Sequence, residues 1–219
     1  MDTPTRRAYH GSCHCGLTRY IAYITLPPPI ISAEPGLPTT RIYKCNCTIC
    51  QKASIFHLRL ISSPDDFLLL SPISKDGSKG GIKTNEGGLK SYTCFAKKTH
   101  FYFCSRCGVR CFSIAGEGEL KSVPAEVIPP VPQNYLHGPL APQDVEINEG
   151  KVKVWSPQKE GWLEEIRPHY LSVNAATPEP GQDGLDLKEW SEKGWISYLN
   201  CLKDVREQRL EDPYEGGMY

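Results

Sequence analysis

The residues with the clearest chemical potential in this chain are its cysteines, because most of them fall into short clusters. The chain has ten cysteines, and three clusters contain all but two of them: Cys13-x-Cys15, Cys45-x-Cys47-x-x-Cys50 and Cys104-x-x-Cys107-x-x-x-Cys111. Thiolates this close in sequence can share one tetrahedral ion, with Zn–S bonds of about 2.3 Å. Three such clusters in one chain predict zinc sites.

The expected cellular environment of these thiols favours metal binding over disulfides. The first ten residues lack the apolar stretch of a signal peptide, so we expect a protein of the cytosol or nucleus, where thiols stay reduced. A redox Cys-x-x-Cys usually starts a helix in a βαβ pattern, which the sequence does not show. A four-cysteine iron–sulfur cluster ranks below zinc. The two remaining cysteines, Cys94 and Cys201, are expected to be structural.

A count of ligands predicts two different kinds of metal site. The pairs Cys13/Cys15 and Cys104/Cys107 add up to a closed four-cysteine site, whereas the middle cluster supplies three thiolates and leaves one position open. An open position is typical of a catalytic zinc. Cys111 keeps an alternative open, because it can either fill that position or pack in the core. Spacing alone does not decide which cysteines share an ion.

The three motifs resemble the family of glutathione-dependent formaldehyde-activating enzymes, which includes centromere protein V. The matching stretches are Gly11-Ser12-Cys13-His14-Cys15-Gly16, Cys45-Asn46-Cys47-Thr48-Ile49-Cys50-Gln51-Lys52 and Phe103-Cys104-Ser105-Arg106-Cys107-Gly108-Val109. They lie within residues 6–125, and their order and spacing are specific. Two positions differ from the family pattern. Asn46 stands where many members carry His, and Cys111 stands where a small residue or proline is frequent.

The resemblance implies a fold, a pairing of ligands and an activity. The fold would be a β-tent, in which small antiparallel sheets wrap around a structural zinc. The structural zinc would have four cysteine ligands and the catalytic zinc three: Cys13, Cys15, Cys104 and Cys107 for the first, and Cys45, Cys47 and Cys50 for the second. In the family, the second zinc is associated with binding the glutathione thiol during its condensation with formaldehyde.

Three thiolates around a zinc ion leave a net charge of about −1, which keeps a bound substrate thiolate nucleophilic. Such a site suits the addition of a thiol to an aldehyde, or the reverse lyase step. A proton shuttle would assist, and the candidate catalytic residues are His57, which follows the middle cluster, and His100, which precedes Cys104. Arg106 and Arg110 are candidates for holding a substrate carboxylate.

The elements that must position these residues are predicted to be mainly β-strands. The chain has 19 glycines and 19 prolines, which is typical of short strands joined by many turns. Residues 7–24 predict a hairpin around the first cysteine pair. Alternating or short apolar runs predict further strands at Ile55–Ile61, Phe67–Leu70, Leu89–Phe95, Thr99–Phe103, Phe112–Ile114, Leu120–Val123 and Lys151–Trp155.

We expect a zinc-binding β domain over residues 1–125 and a C-terminal extension over residues 126–219 that packs on it. Apolar residues at helical spacing in Asp186–Leu202 predict an amphipathic helix that docks on the β core. Proline-rich loops at 27–38 and 129–142 are candidate walls of a substrate pocket. No apolar run approaches the length of a transmembrane helix.

These observations lead us to expect a cytoplasmic, zinc-dependent lyase. Its substrate would be a thiol–aldehyde adduct, such as that of glutathione and formaldehyde, or a related small carbonyl compound, including a natural-product intermediate. The alternative is a non-catalytic zinc-binding module for a protein or chromatin partner. Basic and acidic residues balance at 25 each, which argues against nucleic acid. The sequence leaves open the substrate, the use of glutathione and the oligomeric state, a homo-oligomer included.

Overall fold

The computed structural model describes residues 3–74, 78–84, 86–94, 97–130, 147–160, 169–202 and 207–217. These residues form two β-sheets and few, short helices, which confirms the predicted mainly-β fold. The strands are β1 (Thr5–Ser12), β2 (Arg19–Leu26), β3 (Arg41–Cys45), β4 (Phe56–Arg59), β5 (Phe67–Ser71), β6 (Leu89–Thr93), β7 (His100–Cys104), β8 (Phe112–Ala115), β9 (Gly118–Pro124), β10 (Ile147–Asn148), β11 (Lys151–Pro157), β12 (Tyr170–Asn174), β13 (Ile196–Asn200) and β14 (Glu207–Arg209). The α-helices are α1 (Thr48–Lys52), α2 (Ser63–Asp66) and α3 (Leu187–Glu192).

The six-stranded sheet is built around the hairpin that the sequence predicts at residues 7–24. β1 and β2 pair antiparallel along their full length, from Thr5 opposite Leu26 to Ser12 opposite Arg19. The strand order is β1-β2-β5-β11-β10, and β9 also pairs with β11. The loop between β1 and β2 carries the first cysteine pair, so this hairpin positions it at one end of the sheet.

The register of the eight-stranded sheet sorts its side chains onto two faces. The strand order is β14-β13-β3-β4-β12-β8-β7-β6. Cross-strand partners share a face and successive residues alternate between faces. Following the register assigns one set of residues to what we call the outer face: Tyr43, Cys45, His57, Ser172, Asn174, Ser113 and Phe101. The inner face carries apolar residues, which include Ile42, Leu58, Phe112, Ile114, Leu171 and Val173.

The main hydrophobic core lies between the two sheets. Phe67 of β5 and Phe112 of β8 come from different sheets, and their ring centroids are 5.3 Å apart in an edge-to-face contact. Trp155 of β11 also packs edge-to-face against Phe67, with ring centroids 6.3 Å apart. Aromatic pairs in this geometry stabilise a core beyond the area that they bury. The inner face of the eight-stranded sheet is therefore held against the six-stranded sheet.

Each of the two sheets contains strands from before residue 125 and strands from after it. β11 pairs with β9 and β5, whereas β12 lies between β4 and β8 in the middle of the eight-stranded sheet. The C-terminal segment thus supplies a central strand of the sheet that carries the outer face. The predicted loop at 129–142 lies outside the described residues from 131 onward. Among the described residues, no helix is long and apolar enough to cross a membrane.

The predicted helix over Asp186–Leu202 is wrong in its second half. The Asp186 side chain accepts hydrogen bonds from the backbone N–H groups of Lys188 and Glu189, and so caps α3. The helix ends at Glu192, and Gly194 has a positive φ of 66° that breaks the helical path. Residues 196–200 then form β13, which runs parallel to β3. The apolar residues before and after this turn have the sequence spacing of one continuous apolar face of a helix.

The short helix α3 still anchors the C-terminal segment, which gives a test of the fold. Trp190 is fully buried and meets Phe56 at 6.2 Å between ring centroids. We expect Trp190→Ala to lower the free energy of unfolding by about 3–5 kcal/mol, because it leaves a large cavity in the core. Leu187→Ala on the exposed side of α3 is the matched control and should change it by less than about 1 kcal/mol. Denaturant unfolding measures both, and equal effects would contradict this packing.

Candidate metal centre

The first cysteine group consists of Cys13, Cys15, Cys104 and Cys107, and its four Sγ atoms lie within 4.8 Å of one another. The Sγ atoms of Cys13 and Cys15 are 3.7 Å apart, and those of Cys15 and Cys104 are 3.5 Å apart. A regular tetrahedron with zinc–sulfur bonds of 2.3 Å has sulfur–sulfur edges of about 3.8 Å. The four thiols therefore have the spacing that one tetrahedral ion requires.

Two turns with similar backbone hydrogen bonds present these four thiols. Gly16 N–H donates to the Cys13 carbonyl, and Gly108 N–H donates to the Cys104 carbonyl, each at 2.9 Å. Both glycines have a positive φ, 73° and 75°, which an L side chain rarely adopts. Backbone N–H groups also donate to sulfur, from Thr18 to Cys13 Sγ at 3.2 Å and from Arg106 to Cys104 Sγ at 3.4 Å. The turns thus stabilise negative charge on the sulfurs.

Three of the four thiols are unfavourable as free anions despite these hydrogen bonds. Burial is the main cause that raises the pKa of Cys13, Cys15 and Cys104. Burial also opposes ionisation of Cys107, but backbone N–H groups and the neighbouring thiols outweigh it and lower the pKa of Cys107 to about 7. A divalent cation supplies the charge needed to hold all four as thiolates. This group could therefore hold a metal ion.

Cys111 lies beside the first group, which settles a question that spacing leaves open. Its thiol packs in the main core together with Cys13 and Cys104. Burial raises its pKa well above the usual range, and the charges of Cys13, Cys107 and Cys104 act in the same direction. The second cysteine group packs in a different cluster, on the outer face. Cys111 is therefore not placed to complete that second group.

The second cysteine group consists of Cys45, Cys47 and Cys50, whose Sγ atoms also lie within 4.8 Å of one another. Cys45 ends β3, Cys47 caps the start of α1, and Cys50 lies inside α1. Hydrogen bonds from the thiols of Cys45 and Cys50 lower the pKa of Cys47, and backbone N–H groups of α1 add to this effect. One thiolate is thus already favoured here, and the group could hold a metal ion through three sulfurs.

Asn46, where this chain differs from the resembled family, ties the second group to the C-terminal segment. Its Oδ1 accepts a hydrogen bond from Cys201 N–H at 2.7 Å, and its Nδ2 donates to Asn200 Oδ1 at 2.8 Å. Its backbone N–H donates to the Leu199 carbonyl at 3.1 Å. Asn46 is therefore a structural residue that fixes the Cys45–Cys47 turn against β13.

His57, a predicted catalytic residue, lies directly beside the second group. It is 3% exposed, and its Nε2 is 3.0 Å from Cys50 Sγ. Its Nδ1 is 2.9 Å from Ser172 Oγ and 3.1 Å from the Tyr170 hydroxyl. Burial lowers the pKa of His57 to about 4, against an opposing effect of Cys47, so the ring is neutral at pH 7. Its contacts place it as a support for Cys50, and its part in catalysis stays a prediction.

His100, the second predicted catalytic residue, has a different environment. It is exposed at the start of β7, where its Nδ1 lies 3.3 Å from Ser91 Oγ and its ring stacks on Tyr102 at 5.8 Å. Among the described residues, neither cysteine group forms a hydrogen bond with it. Its predicted role is not tested by this arrangement, and nothing in its contacts points to a ligand or a proton relay.

Sequence reasoning missed the outer-face residues that surround His57. Tyr43 stacks on the His57 ring with centroids 4.5 Å apart, and its hydroxyl is 2.6 Å from that of Tyr170. Tyr170, Ser172 and Asn174 alternate with apolar residues along β12. That two-residue period of polar side chains is the signal that predicts a strand with one polar face.

The fold and these two groups define a mainly-β protein with two candidate metal sites, one of four cysteines and one of three. No protein-family model and no curated protein matches the chain. A crystal structure of a Rhodobacter sphaeroides protein is similar over 48% of this chain and 72% of that chain, with 17% sequence identity and a TM-score of 0.28. A similarity this weak supports no assignment of fold or function.

The first group should be required for stability, because it links the β1–β2 turn to the β7–β8 turn. We expect Cys104→Ser to lose one of two bound zinc ions and to lower the melting temperature, since metal binding contributes directly to folding. Cys94→Ser replaces a cysteine outside both groups and should keep two ions. Elemental analysis and thermal unfolding of the zinc-loaded proteins measure this, and full metal retention in Cys104→Ser would contradict the assignment.

The position of Cys111 gives a second test of the metal sites. We expect Cys111→Ala to keep two metal ions and to leave the visible spectrum of the cobalt(II)-loaded protein unchanged, because the thiol belongs to neither set of ligands. A modest loss of stability should accompany it, since the side chain is fully buried. Loss of one metal ion, or a changed cobalt spectrum, would show that Cys111 is a ligand after all.

Proposed function

We propose that this chain is a zinc-dependent lyase that acts on the adduct of a thiol and an aldehyde, or on a related small carbonyl substrate. The first group would hold a structural zinc and the second group a catalytic zinc with a position open to substrate. The observation that carries the proposal is the inequality of the two groups: four cysteines converge in one and three in the other, and Cys111 packs beside the complete group. This inequality is the pattern that separates structural from catalytic zinc sites.

The residues around the second group suit a reaction of this kind. Zinc bound there would lower the pKa of a substrate thiol and polarise a carbonyl. With Cys50 ionised as a ligand, His57 Nε2–H donates to its sulfur, and His57 Nδ1 accepts from one of the two hydroxyls beside it, that of Ser172 or that of Tyr170. This chain of hydrogen bonds fixes the ring and its tautomer. Ile55 and Phe101 pack against the same cysteines and limit the access of water.

The proposed reaction needs no oxidant or reductant. In the direction of synthesis, the thiol sulfur bonds to the aldehyde carbon, and the thiol proton ends on the former carbonyl oxygen. In the lyase direction, that carbon–sulfur bond breaks and the proton returns to sulfur. Glutathione with formaldehyde is the substrate pair that the cysteine motifs favour, through their resemblance to the formaldehyde-activating family. Assays with a second small thiol and a second aldehyde test whether the protein is specific for glutathione and formaldehyde.

Removal of one second-group thiol should abolish turnover without disturbing the first group. We expect Cys47→Ala to lower the exchange rate between glutathione, formaldehyde and their adduct to the uncatalysed background, because the catalytic zinc loses a ligand. Exchange spectroscopy by NMR on the zinc-loaded protein measures that rate. The structural zinc should remain, so the variant should still unfold cooperatively and contain one zinc ion.

Cys94→Ala is the matched control, because it removes a partly buried thiol near the second group that is not one of its ligands. It should keep the wild-type rate. Full activity in Cys47→Ala would end the proposal. Absence of activity in the wild-type protein, with four sulfur ligands at both zinc ions by X-ray absorption spectroscopy, would favour a non-catalytic module instead.

A further inference from the structure

A small pocket opens on the outer face next to the second cysteine group. Its cavity volume is about 10 Å3, and its lining comes from β8, β12 and the segments around them: Ile55, Phe101, Arg110, Phe112, Ser113, Ser172 and Asn174. A cavity of roughly 10–15 Å3 on this measure holds one water molecule. This pocket therefore has room for about one water-sized group, such as one carboxylate oxygen of a ligand.

Two polar atoms at this pocket have no hydrogen-bond partner among the described residues. They are Ser113 Oγ and Arg110 Nε, and both are buried. Ser113 as a whole is only 3% exposed. Buried polar groups in folded proteins are nearly always paired, so an unpaired hydroxyl beside an unpaired guanidinium N–H needs an explanation. A water molecule or a ligand oxygen that accepts hydrogen bonds from both would satisfy them.

Arg110 is held in place for such a ligand. Its backbone carbonyl accepts a hydrogen bond from Asn174 Nδ2 at 3.0 Å, and its guanidinium lies over the Phe103 ring at 5.4 Å. No carboxylate among the described residues forms an ion pair with it. A guanidinium with a free N–H and a neighbouring hydroxyl donor matches the geometry of a carboxylate better than that of a neutral group.

The pocket is also close to the second group. Ile55 and Phe101 line the pocket and pack in the same cluster as Cys45, Cys47 and Cys50. Ser172 lines it as well, and hydrogen bonds lead from Ser172 through His57 to Cys50. A group bound in the pocket is therefore near the position that the proposed function leaves open.

We infer that Arg110 and Ser113 bind a carboxylate of the substrate, whose sulfur or carbonyl end reaches the second group. The substrate class is thus a short thiol or aldehyde that carries a carboxylate, or the adduct of such a compound. This inference rests on the proposed function, because it needs an open metal position beside the pocket. Arg110 and Ser113 would determine substrate specificity and would not contact the bond that breaks.

The test uses the cobalt(II)-loaded full chain and two thiols of similar size, 3-mercaptopropionate and 2-mercaptoethanol. Binding of either thiol to the metal appears as a change in the sulfur-to-cobalt charge-transfer band, and titration gives the Kd. We expect Arg110→Gln to raise the Kd of 3-mercaptopropionate about 10- to 100-fold, the range for losing a charge-assisted hydrogen bond. The Kd of 2-mercaptoethanol should change less than about twofold. Ser113→Ala should act in the same direction with a smaller effect.

Arg7→Gln is the matched control, because Arg7 is an arginine of β1 in the other sheet that pairs with the exposed Asp183 and does not line the pocket. It should leave both Kd values unchanged. An independent readout is the Arg110 Nε–H signal in the NMR spectrum of the zinc-loaded protein, which acetate should shift in the wild type and not in Ser113→Ala at the same concentration.

The outcomes distinguish the carboxylate subsite from the open metal position of the proposed function. If 2-mercaptoethanol binds and Arg110→Gln weakens both thiols equally or neither, the carboxylate subsite is overturned and the open metal position stands. If neither thiol changes the charge-transfer band of the wild-type protein, the open position is overturned, and this inference fails with it. A selective loss of 3-mercaptopropionate binding supports both.

Discussion

The alternation of side chains across the eight-stranded sheet is the constraint on which both cysteine groups depend. Cys104 ends β7 on the inner face, where it packs in the main core with Cys13. Cys45 ends β3 on the outer face, where it packs with Cys47 and Cys50. A shift of one residue in β7 or in β3 would exchange the faces of that strand and dismantle the group to which it contributes. The separation of two candidate metal sites therefore follows from strand register as much as from the spacing of the cysteines.

The two groups have different relations to the stability of the fold. The first group connects the hairpin of the six-stranded sheet to a turn of the eight-stranded sheet, so an ion there would link the two halves of the core. Its sulfurs accept hydrogen bonds from backbone N–H groups of the turns themselves. The second group is contained in β3 and α1, and its surroundings include a side chain, His57, as well as backbone. An ion there would order a local segment.

The sequence was sufficient for the features that depend on local pattern. The cysteine spacing predicted the clusters of ligands, the family resemblance predicted how they pair into two groups, and the apolar segments predicted β1, β2, β4 to β9 and β11. Features that depend on pairing between distant segments were missed or wrong. β12 joins the middle of a sheet through partners more than 50 residues earlier, and Ile196–Asn200 became a strand because β3 offered an unpaired edge. Local spacing of Leu187, Trp190 and Ile196 could not distinguish that outcome from a longer helix.

The polar residues of the outer face are energetically unfavourable if their only role is to stabilise the fold. Four polar residues of this face are buried: His57, Ser172, Ser113 and Asn174. Moving polar groups out of water is unfavourable unless each forms a hydrogen bond with a partner. His57 and Asn174 are paired, but Ser113 Oγ has no partner in the part of the chain that the structure describes. Apolar residues of similar size at these positions would stabilise the fold more, as they do on the inner face. A polar face beside three thiols is therefore explained when a ligand completes its hydrogen bonds. At these positions, the residues expected for a stable core differ from those expected for a functional site.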